Sequence, residues 1–295
     1  MNKPYIVLMI SIIAVSFSAV LIKLCEAPSL SIAFYRLLFT TLLLIPFIIL
    51  KPDIIKEIKD IPRSDILIMI IIGVILSFHF SLWITSLEYT SIASSVILVT
   101  AHPILVAPVA HIFYKEYLSL KNLIGISISI LGVIILVSGN YTLTEGSFFG
   151  NILAFLGGLA AGLYILGGRR MRRTISITSY AFVVYASGAI MMFVICLLSN
   201  SPLLHLRNED YLIILIMAFV SGILGHTLYN WSLAYIRASV ASVSLLGEPI
   251  GSSILAYIIP SIKQEPTIFT IIGGGIILLG IHLTTKEKEY IEKRS

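Results

Sequence analysis

The sequence predicts an all-α integral membrane protein, with ten transmembrane helices arranged as two inverted five-helix repeats. Three observations predict it. Hydrophobic residues make up 58% of the chain and charged residues only 12%, too little polar surface to cover a core in water. Apolar runs of about 20 residues, the length that crosses a bilayer, recur along the chain with breakers between them. The second half of the chain also repeats the first.

The spans are expected near 5–25, 30–50, 66–87, 92–114, 121–139, 148–168, 177–199, 210–231, 238–259 and 267–284. Turn signals separate them: Glu26-Ala27-Pro28, Lys51-Pro52-Asp53, Glu145-Gly146, Ser201-Pro202 and Glu265-Pro266, each rich in residues that end helices. The opening run, MNKPYIVLMISIIAVSFSAVLIK, is longer than a signal-peptide core and lacks a small-residue cleavage site. It is read as a retained first span. Cys25 and Cys196 fall in apolar runs without CxxC or His spacing, which speaks against metal and redox motifs. Two buried thiols are the simpler expectation, and a disulfide between them is the alternative.

Charge sets the expected orientation. One set of span ends carries Lys3, Lys51, Lys56, Lys59, Arg63, Lys115, Lys121, Arg169, Arg170, Arg172, Arg173, Arg237, Lys286, Lys288, Lys293 and Arg294. The opposite set carries Lys23, Arg207 and Lys263. The positive-inside rule places the first set, and both termini, in the cytoplasm, and the short loops without targeting segments point to a plasma membrane. The net charge of +5 is thus a topology signal. Its dispersal over short loops gives no basic face for nucleic acid.

The repeat is visible by eye. SLEYTSIASSVILVTAHP (86–103) aligns with SLAYIRASVASVSLLGEP (232–249): Ser86 with Ser232, Leu87 with Leu233, Tyr89 with Tyr235 and Pro103 with Pro249, each 146 residues on. IGISISILG (124–132) aligns with IGGGIILLG (272–280) at an offset of 148, after two extra residues near Lys263. Upstream, 146 carries Lys23 to Arg169. The expected units are 1–140 and 147–285, five spans each, followed by a charged tail at 286–295. Five is odd, so the second unit would enter the membrane with the opposite orientation. Many secondary transporters are built this way, with a substrate site at mid-membrane between the halves.

Candidate site residues follow from polar groups where lipid penalises them. Glu248 lies about ten residues from either end of its span, near ~15 Å depth at 1.5 Å per residue. A charge there costs roughly 2.5–3.5 kcal/mol on insertion scales, so such a residue is read as functional by default. Pro249 disfavours helical geometry at Glu248 and removes a donor. The repeat mate of Glu248-Pro249 is His102-Pro103. Glu248 and His102 are candidates for a shared proton or for bracketing a charged group of a substrate, and Pro103 and Pro249 are candidate hinges. Ser244, Glu248 and Ser252 repeat every four residues and form one polar stripe. FHFSLW (78–83) puts His79 and Trp83 one turn apart. GHTLYNW (225–231) does the same for His226 and Asn230, with Tyr229 alongside. Rings with single polar handles suit an amphipathic ligand. The alternative for Trp83, Tyr229 and Trp231 is an interfacial belt. Arg36 is expected to snorkel or to pair with Glu26, with ligand contact as the alternative, and His111 to be structural. Gly273-Gly274-Gly275 and Gly125…Gly132 are expected to allow close helix packing.

The ordered set of these motifs resembles the EamA branch of the drug/metabolite transporter superfamily. It runs from Pro28…Arg36 through LEYTSIASSVILVTAHPI and FYKEYLSLKNLIGISISILGVIIL to SLAYIRASVASVSLLGEPIGSSILAYII and a glycine-rich last span. The resemblance implies ten helices, inverted repeats, and a central cavity lined by spans one, three, four, six, eight and nine. It also implies carriage of small metabolites, often amino acids or drugs, usually outward. Departures are Phe182 at the mate of Arg36, His102 before its proline, and an acidic end displaced into IKQEPT.

The expected function is therefore a secondary transporter of small polar or amphipathic metabolites, working by alternating access with proton coupling left open. The expected partners are a small-molecule substrate and the bilayer, with a homodimer as an open alternative. No cofactor or metal is expected. A phosphorylated-sugar or nucleotide-sugar carrier needs paired cations in the cavity, which the ninth span lacks. An enzyme is disfavoured by the absence of HExxH, GxSxG or clustered acids. A non-transporting scaffold is the remaining alternative.

Overall fold

The computed structural model describes residues 3–140, 145–263, 265 and 267–285. All regular structure among them is helical, as a bilayer demands of a chain that must satisfy its backbone groups internally. The first half contains α1 (Lys3–Leu24), α2 (Ser29–Ile49), α3 (Pro52–Asp60), α4 (Arg63–Tyr89), α5 (Ile92–Val99), α6 (Pro103–Tyr114) and α7 (Leu120–Asn140). The second contains α8 (Glu145–Met171), α9 (Ile177–Leu198), α10 (Asn208–Met217), a π-helical stretch (Ala218–Thr227), α11 (Leu228–Ser232), α12 (Ala238–Ser244), a 3-10 turn (Leu245–Gly247), α13 (Glu248–Ile258) and α14 (Ile268–Thr285).

Eight of these helical runs are long and apolar enough to cross a membrane, counting 92–114, 208–232 and 238–258 as single runs. Two shorter apolar helices, Leu120–Ile135 and Ile271–Thr285, stand where the fifth and tenth spans are expected. The bundle is inside-out relative to a water-soluble protein. Leu198 (80% exposed), Leu50 (79%) and Phe113 (73%) face outward, while Ser11, Ser31, Ser77, Ser86 and Ser95 are fully buried. This is a multi-pass membrane protein.

The packing repeats between halves. α4 packs on α8 and α1 on the π-helical stretch; α2 packs on α9 and α7 on α14. Exchanging the two halves leaves these pairings unchanged. Small residues set the closest approach: a Cβ on Gly125 would lie 2.7 Å from the Gly280 carbonyl oxygen, and one on Gly132 2.8 Å from that of Gly273. Of the expected triplet, Gly273 supplies this contact, whereas Gly275 faces open space. Cys25 and Cys196 are free thiols, and Cys196 Sγ donates to the Leu30 carbonyl at 3.4 Å.

α3 is a helix where the sequence reading placed only a connection. Pro52 sits in its first turn, where its missing N–H costs nothing, and Ile54 anchors it while Lys56 and Lys59 face out. Its Glu57 carboxylate caps the next half's second span. It accepts from the Ser176 N–H at 2.8 Å, from Ser179 Oγ at 2.6 Å and from Ser176 Oγ. Burial pushes the Glu57 carboxyl up, but these hydrogen bonds, with the field of Arg172, outweigh it and hold the group below its ordinary value of 4.5. A depressed folded pKa means the carboxylate stabilises the fold above the ordinary value, and the stabilisation is lost as pH falls through the depressed one. Melting in detergent micelles will therefore fall more steeply below about pH 4.5 in the wild type than in Glu57→Gln. Parallel acid profiles would remove the capping role.

Candidate functional site

Both halves break a helix at the same register. α5 ends at Val99, residues 100–102 turn, and α6 restarts at Pro103. α12 ends at Ser244, tightens into Leu245–Gly247, and α13 restarts at Glu248-Pro249. In each case the proline occupies the first turn of the second piece, the one place in a helix where its ring and missing donor are tolerated. Gly158 lets α8 press on the first break: a Cβ there would lie 2.7 Å from the Val99 carbonyl oxygen.

Between the breaks is a central cavity, about 530 Å³ of empty space with its open mouth included. Its walls come from α1, α4, the α5–α6 break, α8, the π-helical stretch with α11, and the α12–α13 break. These correspond to spans one, three, four, six, eight and nine. The wall is organised by the repeat. Val15 faces with Ala161, Ser18 with Tyr164, Trp83 with Tyr229, Val99 with Leu245, and His102 with Glu248. Each pair is separated by 146 residues (161 − 15, 164 − 18, 229 − 83, 245 − 99, 248 − 102).

Six of the nine candidate binding residues line this cavity: Glu248, His102, His79, Trp83, His226 and Tyr229. His79 and Trp83 stack with ring centres 5.9 Å apart and planes 6° from parallel. His79 Nδ1 lies 2.9 Å from the Gly157 carbonyl oxygen. A carbonyl only accepts, so Nδ1 carries a proton. His102 Nδ1 lies 2.7 Å from Ser242 Oγ, across the junction of the halves. Glu248 is held at the break by its backbone, whose carbonyl accepts from Ser16 Oγ at 3.5 Å. His102 and Glu248 share the cavity without a hydrogen bond between them among the described residues.

The other three candidates stand behind the wall. Asn230 Nδ2 donates to Tyr164 Oη at 2.5 Å and to the His226 carbonyl at 2.7 Å, positioning two lining residues. Ser244 Oγ donates to the Val240 carbonyl, and Ser252 Oγ to the Ser16 carbonyl at 3.0 Å. The serine stripe thus lies inside the bundle, with only Glu248 reaching the cavity. Trp231 stands apart, against Tyr235 and Lys3. His111 Nδ1 contacts the Glu116 carbonyl at 3.0 Å.

Sequence reading missed Tyr164, Ser18 and Thr100 in the wall, and Ser242 beside it. The repeat register was the available signal, since Ser18 and Tyr164 are mates. It also misplaced a partner. Glu26 pairs with Arg207, not with Arg36. Arg207 lies in the loop before α10, at the same end of the bundle and in water, whereas Arg36 is 1% exposed inside it.

A further pair of mates marks the two ends of the bundle. Lys23 Nζ donates to the Leu87 carbonyl, and Arg169 Nη1 donates to the Leu233 carbonyl at 2.6 Å. Donors and acceptors are both repeat-related. Among the described residues an acid is bonded at the second latch alone: Glu116 Oε1 pairs with Arg169 Nε at 2.7 Å, and its Oε2 accepts from the Ala238 N–H at 2.8 Å, whereas Glu88 lies near Lys23 without bonding to it.

An apolar helical bundle with two mid-span breaks around a central, polar-tipped cavity is the architecture of a membrane transporter. The model of the EamA-like transporter family matches residues 2–138 and again 148–286, and the chain belongs to that family. Among similar proteins, the uncharacterized transporter YyaM of Bacillus subtilis (strain 168) is 27% identical over 74% of this chain and 73% of its own. An uncharacterized transporter of Archaeoglobus fulgidus is 24% identical over 97% and 99%. A solved crystal structure shares the fold, with a TM-score of 0.75 at 16% identity over 96% of each chain.

Proposed function

We infer that the protein is a secondary carrier of small polar or amphipathic metabolites, with ten spans in two inverted five-helix repeats that rock around the central cavity. One observation carries this reading: the cavity wall is built from repeat mates, so the same residues meet again when the halves exchange roles. A site shared in this way is what alternating access between inverted repeats requires. The latches at Lys23 and Arg169 support it, because they are one contact placed at opposite ends. Glu248 and His102 are the substrate or proton groups, and the two helix breaks at Pro103 and Pro249 let each span bend at cavity depth. The basic loops support cytoplasmic termini at a plasma membrane. By family analogy the direction is outward.

The test is flux. Purified protein in sealed liposomes, offered radiolabelled metabolites with and without a pH gradient, will move at least one of them faster than protein-free vesicles. Acceleration by the gradient makes the carrier proton-linked, and indifference to it makes a facilitator. No flux across a broad panel, from protein that is folded and oriented, would leave a scaffold as the better reading.

A further inference from the structure

Arg36 is the least explained charge in the molecule. It sits on α2, 1% exposed, and none of Nε, Nη1 and Nη2 has a hydrogen-bond partner among the described residues. No ion pair among the described residues includes it. Its guanidinium carbon lies 4.2 Å from the centre of the Phe80 ring and 5.7 Å from that of Trp83. Trp83 is also a wall of the central cavity, so Arg36 stands directly behind that wall, against Phe80 and Trp83. Glu248, Tyr164 and Tyr185 lie within its electrostatic range.

Leaving a buried guanidinium unpartnered is costly, since each unmade charged hydrogen bond forfeits its full desolvation penalty. A structural arginine would have recruited carbonyls or an acid, as Arg169 and Arg172 do. Stacking on aromatic rings satisfies the faces of the guanidinium and leaves its N–H edge unused. That edge matches the two oxygens of a carboxylate. The neighbouring groups are of the same kind: Trp83 Nε1, Tyr229 Oη and Ser18 Oγ are buried, belong to residues that line the cavity, and have no hydrogen-bond partner among the described residues. The wall therefore offers unpartnered donors beside Trp83, although Glu248 is also in the lining.

We propose that Arg36 is the anion receptor of the central cavity and that the protein's solutes are small organic carboxylates. The acid group meets the Arg36 edge beside Trp83, and the remainder of the solute lies along the His79–Trp83 stack. This rests on the carrier reading for the word solute, but binding is measurable without transport.

The experiment uses the chain's own reporter. Only two tryptophans are present, so Trp231→Phe leaves Trp83 as the sole emitter. Purified full-length protein in detergent micelles is titrated with benzoate and phenylacetate and with their neutral amides. Saturable quenching by a carboxylate is expected, with the matching amide weaker by about tenfold or more, the scale of a lost charge-assisted hydrogen bond. Arg36→Met will lose carboxylate affinity by about as much and keep that of the amide, with Arg36→Lys between the two. Without ligand, Arg36→Met will melt at or above the parent temperature, because it removes an uncompensated buried charge. Equal binding of acid and amide overturns the proposal. So does unchanged carboxylate binding in Arg36→Met, absence of saturation up to the solubility limit, or a marked loss of fold in Arg36→Met. Arg36-dependent binding without flux would instead sink the carrier reading and leave the anion site standing.

Discussion

Glu248→Gln will abolish the response of transport to a pH gradient and cut gradient-driven accumulation by about tenfold or more, where tenfold is 1.4 kcal/mol of lost coupling. Glu248 is the acid of the cavity wall, at the restart of α13. Its depth makes a charge expensive, roughly 2.5–3.5 kcal/mol on insertion scales, so a neutral isostere should fold at least as well. Stability and function are then expected to move apart. Glutamine keeps the shape and the acceptor but cannot exchange a proton. Gradient-independent exchange of labelled solute should survive if the substrate contact is steric, and should fall too if Glu248 holds a cationic group. Flux and pH dependence both equal to the wild type would remove Glu248 from the mechanism. The mate supplies an internal control. His102 already spends Nδ1 on Ser242 at 2.7 Å, so its replacement disturbs the junction of the halves as well as the cavity.

The legibility of this site in the sequence tracked the energetic cost of each residue. An acid before a proline in the middle of an apolar run has few structural reasons to exist, so Glu248 and, by repeat register, His102 were visible without coordinates. The membrane-spanning runs were visible for the same reason, because lipid tolerates little else. Tyr164 was invisible because a tyrosine within GLYILGG is equally at home at a membrane interface. Only the partner Asn230 and the mate Ser18 reveal its role. Ser244 and Ser252 have Glu248's periodicity but spend their hydroxyls on backbone carbonyls, which spacing cannot foretell. α3 escaped because nine residues beginning with a proline give too short a period to read. The Arg36–Glu26 expectation failed on competition. A short chain distance favoured the pair, yet Arg207, from the other half, reaches Glu26 in water, where neither partner gives up its hydration.

The remaining asymmetry between the halves lies at their ends, and it predicts the largest loss of stability. The Glu116 and Arg169 side chains are 4% and 13% exposed, so the acid is buried and its partner largely so. Removing one member of such a pair strands the other, at about 3–5 kcal/mol. Glu116→Ala also leaves the Ala238 N–H, the first turn of α12, without its acceptor. Glu116→Ala should therefore melt far below the wild type in detergent micelles. Arg169→Met alone will be similarly damaging, because it strands the acid. The double variant will recover a large part of the loss, giving a coupling energy of a few kcal/mol in a double-mutant cycle. Strict additivity would mean that the two groups act separately. The mate at the other end, Lys23 on the Leu87 carbonyl, has no acid bonded to it: Glu88 instead takes the hydroxyl and the N–H of Ser29, the latter at 3.3 Å. Lys23→Met should consequently cost much less. On the carrier reading, a chain whose two ends carry the same latch, one acid-locked and one not, is predicted to populate its two access states unequally. Loosening the locked end should bring them closer, which accessibility of single cysteines placed beside Leu233 and beside Leu87 will read directly.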